Sequence, residues 1–251
     1  MSSSRFQSQQ FLLPKEGHLL SECEDVIGVN ALTQRFAIAD GATEAFDAQS
    51  WARRLARQWV RLDRGALVPD DFRSWVAAEG RSLHDSWKNL QLSWYAEEKA
   101  RTGSFAAFVG VQLEVELATP RWQAIALGDA CLLHCRAGRI LSALPLANHE
   151  SFNASPLLVP SLGLLQDAGL RNIVVDSGVL ESGDVLLLLS DAVAAWYLRL
   201  AESGDRARCC FEELLMADRE DELEQLFNKE RRTGRIKNDD IAVLRIELRL
   251  P

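Results

Sequence analysis

The sequence predicts an α+β protein in which two antiparallel sheets are covered by helices. Three observations carry that expectation. Short β-rich runs separated by turn residues cluster between residues 105 and 144. Two segments before them and three after them carry apolar residues at helical spacing. Further strand-like runs lie ahead of the first helix and between the later ones, so sheet packs on sheet with helices outside.

Ser2 to Gln10 is rich in Ser and Gln and reads as a flexible tail covering residues 1–10, with one domain over residues 11–251. Met1–Gln10 holds one Arg and no apolar segment, which argues against a cleaved secretory signal. Asp25–Asn30 and Arg35–Ala39 are expected as two short strands that pair. Asp47–Leu62 is a helix, because Trp51, Leu55, Gln58, Trp59 and Leu62 fall on one face. Asp70–Lys99 repeats the pattern through Phe72, Trp75, Val76, Leu83, Trp87, Leu90 and Trp94. These two segments are expected to form an antiparallel pair, with their tryptophans in the core.

Four strands follow at Phe105–Leu117, Trp122–Leu127, Ala130–Arg136 and Ile140–Leu144. Thr119-Pro120, Gly128-Asp129 and Ala137-Gly138 separate them in the manner of an antiparallel meander. Asn148–Leu170, with Pro156 and Pro160, reads as a long irregular excursion of the kind that is commonly functional. Strands are expected at Arg171–Asp176 and Val185–Ser190, helices at Ala192–Ala201, Arg206–Met216 and Glu220–Arg232, and a last strand at Ile241–Leu250.

Composition narrows the function. The 251 residues are 47% hydrophobic, ordinary for a chain that buries a core. No run of eighteen apolar residues occurs, so no membrane span is expected. A net charge of −8 argues against a nucleic-acid partner, which needs a basic face to meet phosphates. Five cysteines, none in a C-x-x-C pair, fit reduced thiols in the cytoplasm.

The acids are the informative residues. Asp25, Asp40, Asp191 and Asp239 each stand at the start or end of an expected strand. Strand ends can converge on one rim, where four carboxylates repel each other unless a cation cancels their charge. Mg²⁺ and Mn²⁺ do so with oxygen ligands. Each residue also has an ordinary reading: Asp191 could cap the helix that follows it, and Asp40-Gly41 or Gly128-Asp129 could be plain turns.

Six segments then occur in a telling order. Glu22-Cys23-Glu24-Asp25 comes first, then Phe36-Ala37-Ile38-Ala39-Asp40-Gly41-Ala42 and Gly103-Ser104-Phe105-Ala106. Ala126-Leu127-Gly128-Asp129-Ala130 follows, and Leu189-Ser190-Asp191-Ala192 with Asn238-Asp239-Asp240-Ile241-Ala242 closes the set. Together they resemble the acidic motifs of the type 2C (PPM) metal-dependent protein Ser/Thr phosphatases, especially the bacterial branch, from about Pro14 to Leu248.

The resemblance implies a four-layer α-β-β-α sandwich with two antiparallel sheets flanked by helix pairs. It implies two divalent ions, Mn²⁺ or Mg²⁺, bridged by Asp40, with the Gly41 carbonyl as a further ligand. Asp191 and Asp239 would complete the first ion's shell, and Glu24 and Asp25 would hold the second, partly through waters. Asp129 matches a position that contributes to a third, weaker ion. Asp240 matches a position often occupied by Asn and is given no ligand role. Asp40 and Asp239 are the acids on which turnover would depend most, through a hydroxide bridging the two ions that attacks phosphorus. The implied partner is a phosphorylated protein linked to a Ser/Thr kinase, in the cytoplasm, with neither nucleic acid nor membrane.

The chain departs from the family pattern in three places, the first of which bears on substrate capture. The Arg that many members carry upstream of the first acidic motif is missing from Gly17-His18-Leu19-Leu20-Ser21, leaving Lys15 or His18 as substitutes. No His follows Asp40-Gly41, and Ser190-Asp191-Ala192 lacks the usual glycine. The missing Arg motivates an alternative, a pseudophosphatase that binds phosphoprotein without turnover.

Overall fold

The structure, a computed structural model, describes residues 5–63, 65–88, 90–153, 156–163 and 171–249. One sheet has the strand order β1-β11-β10-β6-β7: Phe6–Leu13, Ile241–Leu248, Val185–Leu189, Cys131–Arg136 and Arg139–Leu144. The other has the order β2-β3-β4-β5-β9: Asp25–Asn30, Arg35–Gly41, Phe105–Glu114, Arg121–Leu127 and Val174–Val179. A short strand, β8 (Val159–Pro160), pairs with the start of β4. All the pairings are antiparallel.

Alternation along the strands builds three apolar layers. On β11, Ala242, Leu244 and Ile246 face the other sheet, whereas Ile241 and Val243 face outward. On β10, Leu186 and Leu188 point inward and Leu187 and Leu189 outward. Both faces are buried, which is why these strands read as unbroken apolar runs. The outward faces of the first sheet are covered by α4 (Asp191–Ser203), α5 (Ala207–Met216) and α6 (Glu220–Arg232). The second sheet is covered by α1 (Ala48–Trp59) and α2 (Pro69–Trp87). The result is the expected α+β sandwich of four layers, helix, sheet, sheet, helix.

The structure corrects several expectations. The tail expected over residues 1–10 is instead structured from residue 6: β1 pairs with β11 from Phe6↔Leu248 to Leu13↔Ile241. Phe6, Phe11 and Leu13 bury while the Ser and Gln residues stay at the surface, so an edge strand here needs few apolar residues. The single helix expected over Asp70–Lys99 is two. The first ends at Trp87, and α3 (Trp94–Thr102) restarts at Ser93, whose hydroxyl accepts the Ala96 N–H. Trp94 is therefore 80% exposed and lies outside the core.

The expected meander is also divided. β4 and β5 belong to one sheet, β6 and β7 to the other, and the chain crosses between them at Gly128-Asp129. Gly128 makes this crossing with φ +110°, where a Cβ would stand 2.6 Å from the Ala107 methyl. The strand expected at Arg171–Asp176 lies three residues later, at Val174–Val179. Within Asn148–Leu170, the described parts are a 3₁₀ turn at His149–Asn153 and strand β8, while residues 154–155 and 164–170 lie outside the described residues.

Aromatic rings weld α1 and α2 to the second sheet. Trp59 lies 5.9 Å from Trp75 and 5.5 Å from Phe108, and Phe72 lies 5.7 Å from Phe108, centroid to centroid. Arg35 is buried beneath them with its guanidinium 4.6 Å from the Trp59 ring. Its Nη2 donates to Gly65 O and Gln112 Oε1, but Nε and Nη1 have no partner among the described residues. Burial pushes its pKa down to about 10, against the pull of Asp63. A half-satisfied buried cation adds little stability. Arg35→Met is therefore expected to keep its denaturation midpoint, and a loss above about 1 kcal/mol would mean that the guanidinium contributes net stability.

Candidate functional site

The strand register brings the acids to one end of the sandwich. Asp40 continues the Phe36 and Ile38 series that faces the opposite sheet, and Asp25 at the start of β2 is its direct cross-strand partner. On the facing sheet, Ser190 ties the end of β10 to the start of β11. Its N–H donates to Ala242 O at 3.0 Å, and its hydroxyl accepts the Ala242 N–H at 2.9 Å. Asp191 and Asp239 flank this junction, and Asp129 sits where the chain crosses sheets. A cleft of about 170 Å³ results, lined by Glu24, Asp40, Gly41, Asp129, Asp191 and Asp239. Asp25 lies behind it, buried.

Neighbouring groups fix the carboxylates. Gly41 N–H donates to Glu24 O, and a Cβ at Gly41 would stand 2.9 Å from Ala48 O, so only glycine lets α1 seat against this strand end. Glu24 Oε2 accepts the Thr43 hydroxyl at 2.6 Å and lies 3.7 Å from Lys15 Nζ. Both oxygens of Asp240 are occupied by backbone, Oδ1 by Lys15 N–H and Oδ2 by Glu24 N–H, each at 2.8 Å. Asp240 is thus a brace that positions Glu24. Arg231, buried, clamps the same loop from behind through Asp239 O at 2.6 Å and Pro14 O at 3.1 Å.

The acids repel one another. Burial holds the Asp25 carboxyl well above the usual range, Ser190 opposes this by hydrogen bonding, and Asp191, Asp240 and Asp239 add to it. Asp40 is raised by burial and then by Asp25, Asp191, Asp129 and Asp239. Burial and then Asp191 push Asp129 up to about 6. Asp191 is raised by burial, while Lys237 pulls it back and Asp239 pushes it up. One Asp25 oxygen, Oδ2, is buried with no hydrogen-bond partner among the described residues.

These raised values fix a pH dependence. Carboxyls raised in the folded state stabilise it most below their unfolded pKa, near 3.8, and that contribution is lost as pH rises through the folded values, about 6 for Asp129. In chelator, the thermal midpoint contributed by this cluster is expected to fall from about pH 5 to about pH 8, and Mn²⁺ should oppose the fall. A flat profile in chelator would mean the acids are not crowded.

The donor set is all oxygen and hard, it carries an orphaned buried oxygen, and its charge is under-compensated. These features fit Mg²⁺ or Mn²⁺. In this conformation, however, no three Asp, Glu, His or Cys side chains among the described residues are grouped so as to hold a metal ion. Asp239 and Asp191 instead share Lys237, whose Nζ lies 2.5 Å and 3.6 Å from their Oδ2 atoms.

Lys237, Asp240, Thr43 and Arg231 are the site residues that sequence reasoning did not assign. Only the adjacency of Lys237 and Asp240 to Asp239 signalled two of them. Lys15 reaches Glu24 but, like His18, does not line the cleft. Cys131 is buried in the core, and burial pushes its thiol pKa up.

No family model matches the chain, and no curated protein matches it. Solved structures do. The catalytic domain of the serine threonine protein phosphatase PstP in complex with two manganese ions superposes with a TM-score of 0.64 at 13% identity, over 97% of this chain and 98% of that one. The serine/threonine phosphatase Stp1 from Staphylococcus aureus gives 0.63 at 15% identity, over 97% and 95%. The PPM Ser-Thr phosphatase MsPP from Mycobacterium smegmatis in complex with cacodylate gives 0.55 at 15%, over 96% and 98%. The architecture of this chain is therefore the PPM phosphatase fold.

Proposed function

We propose that this chain, which carries the fold of the PPM phosphatases, is a metal-dependent protein phosphatase acting on phosphoserine and phosphothreonine. One observation carries the reading: acids from both sheets crowd a single cleft and raise each other's pKa values, an arrangement that wants a divalent cation. Asp40, Asp191 and Asp239 would hold one Mn²⁺ or Mg²⁺, and Glu24 and Asp25, with Asp40 and the Gly41 carbonyl, a second. Asp129 would reach a third. Bound there, such ions would lower the pKa of a bound water enough to furnish hydroxide as the nucleophile and would offset charge on the phosphoryl oxygens.

The chain's own residues set up that chemistry. Asp240 and Thr43 hold Glu24 in place from the backbone and side-chain ends. Ser190 keeps Asp191 beside the start of β11. Cys131, buried and held protonated, is no nucleophile, which favours direct attack by water over a covalent intermediate on that thiol. The partner would be a phosphorylated protein and, opposite it, a Ser/Thr kinase, with neither nucleic acid nor membrane. Five free thiols support placement in the cytoplasm. No helix among the described residues is long and apolar enough to cross a membrane.

A second reading, a phosphoprotein-binding module without turnover, is favoured by the Lys237 bridge between Asp191 and Asp239. Hydrolysis of p-nitrophenyl phosphate and a phosphothreonine peptide with Mn²⁺, Mg²⁺ or EDTA separates the two. The phosphatase reading expects turnover with either metal, none in EDTA, and none in Asp239→Asn. No turnover with metal demonstrably bound would leave the binding module.

A further inference from the structure

Among the described residues, Lys237 is the only cationic side chain that lines the acidic cleft. Its ammonium is held by charge and not by packing: the side chain is 66% exposed, and its contacts are the Oδ2 atoms of Asp239 and Asp191. Those two carboxylates are also proposed ligands of a divalent cation. An oxygen that holds an ammonium at 2.5 Å offers less negative charge to a metal, and an ammonium beside a doubly charged ion is repelled. Occupation by one cation therefore disfavours the other.

The displaced ammonium stays nearby. Lys237 sits on the short connection between α6 and β11, and its side chain as a whole is mostly exposed. Swinging about its four-carbon stem keeps the charge at the cleft mouth, where a phosphate ester must enter. Lys15 is tied to Glu24 and Arg231 is buried behind the loop, and both lie outside the cleft lining. A compact, strongly hydrated ammonium with rotatable donors suits a phosphate oxygen.

We propose that Lys237 is the exchangeable cation of this cleft: divalent ions expel it from Asp191 and Asp239, and the expelled ammonium binds the phosphate of the substrate. The inference rests on the phosphatase reading for the identity of that phosphate, but its two binding steps can be measured without turnover. The exchange is reciprocal, so whatever holds Lys237 on the acids weakens metal binding by the same factor.

The test uses Lys237→Met, with Lys237→Arg as the variant that keeps the charge. Calorimetric titration with Mn²⁺ should show about tenfold tighter binding to Lys237→Met than to wild type, an ordinary size for coupling between two sites. Titration of the Mn²⁺-loaded proteins with inorganic phosphate should show about tenfold weaker binding to Lys237→Met, largely restored in Lys237→Arg. The KM for a phosphothreonine peptide should rise in parallel. Unchanged Mn²⁺ affinity would overturn the proposal, and so would unchanged phosphate affinity. Both shifts appearing in a protein that never turns over would sustain the exchange and sink the phosphatase reading. Failure of wild type and variant alike to bind Mn²⁺ would sink both.

Discussion

Asp40→Asn is expected to lower turnover by about 10³-fold or more while raising the thermal midpoint of the metal-free protein. The two effects have one cause. Asp40 is half-buried among the charges of Asp25, Asp191, Asp129 and Asp239, and each of them makes its ionised form costly. An amide of nearly the same shape removes that repulsion, so the apo fold gains. On the phosphatase reading it also removes the carboxylate that would bridge two cations, so the loaded site would lose. Thermal unfolding in EDTA, beside hydrolysis assays in Mn²⁺, reads both. A variant that unfolds earlier than wild type in EDTA would mean that Asp40 is paired and not repelled.

Trp122→Ala should give the largest loss of stability, about 3–5 kcal/mol. Trp122 is fully buried in the layer between the sheets, and its indole N–H donates to His134 Nδ1 at 3.2 Å. That bond assigns the remaining ring proton to Nε2, which faces Asp184 Oδ2 at 2.9 Å. Asp184 also accepts Arg136 Nε at 2.7 Å and the Glu181 N–H at 2.9 Å. Truncation leaves both a cavity and an unsatisfied imidazole nitrogen. Trp122→Phe keeps most of the volume and loses only the hydrogen bond, so it should cost about 1–2 kcal/mol in urea unfolding. Equal costs for the two variants would show that packing is irrelevant there. This network lies at the start of β10 and the end of β6, away from Asp191 and Asp129, so Mn²⁺ affinity of the folded variants should hold.

Much of this was legible before the fold was known, and the pattern of failures is physical. The acids Asp25, Asp40, Asp191 and Asp239 stood out because each lies where an apolar, strand-like run starts or ends. What alternation does not encode is which sheet a strand joins. Gly128-Asp129 looks like any hairpin turn, yet Gly128 leads the chain across the sandwich. β1 was hidden because an edge strand with three apolar anchors, Phe6, Phe11 and Leu13, has the composition of a tail. The break before α3 was hidden because Trp94 continues the helical spacing of α2 although Ser93 caps a new helix.

The supporting residues of the cleft were less legible than the acids. Asp240 holds Lys15 N–H across 225 positions of sequence and Glu24 N–H across 216, contacts that no local pattern announces. Lys237 carries no motif at all. Its place among the acids follows from the loop between α6 and β11, which Arg231 clamps to Pro14.

Anomalous scattering from crystals soaked in Mn²⁺ tests the central claim most directly. Two strong peaks are expected between the sheets, one bounded by Asp40, Asp191 and Asp239 and one toward Glu24 and Gly41, with Lys237 moved off the acids. A cleft with no anomalous peak at saturating Mn²⁺, and with Lys237 still bridging Asp191 and Asp239, would contradict the account.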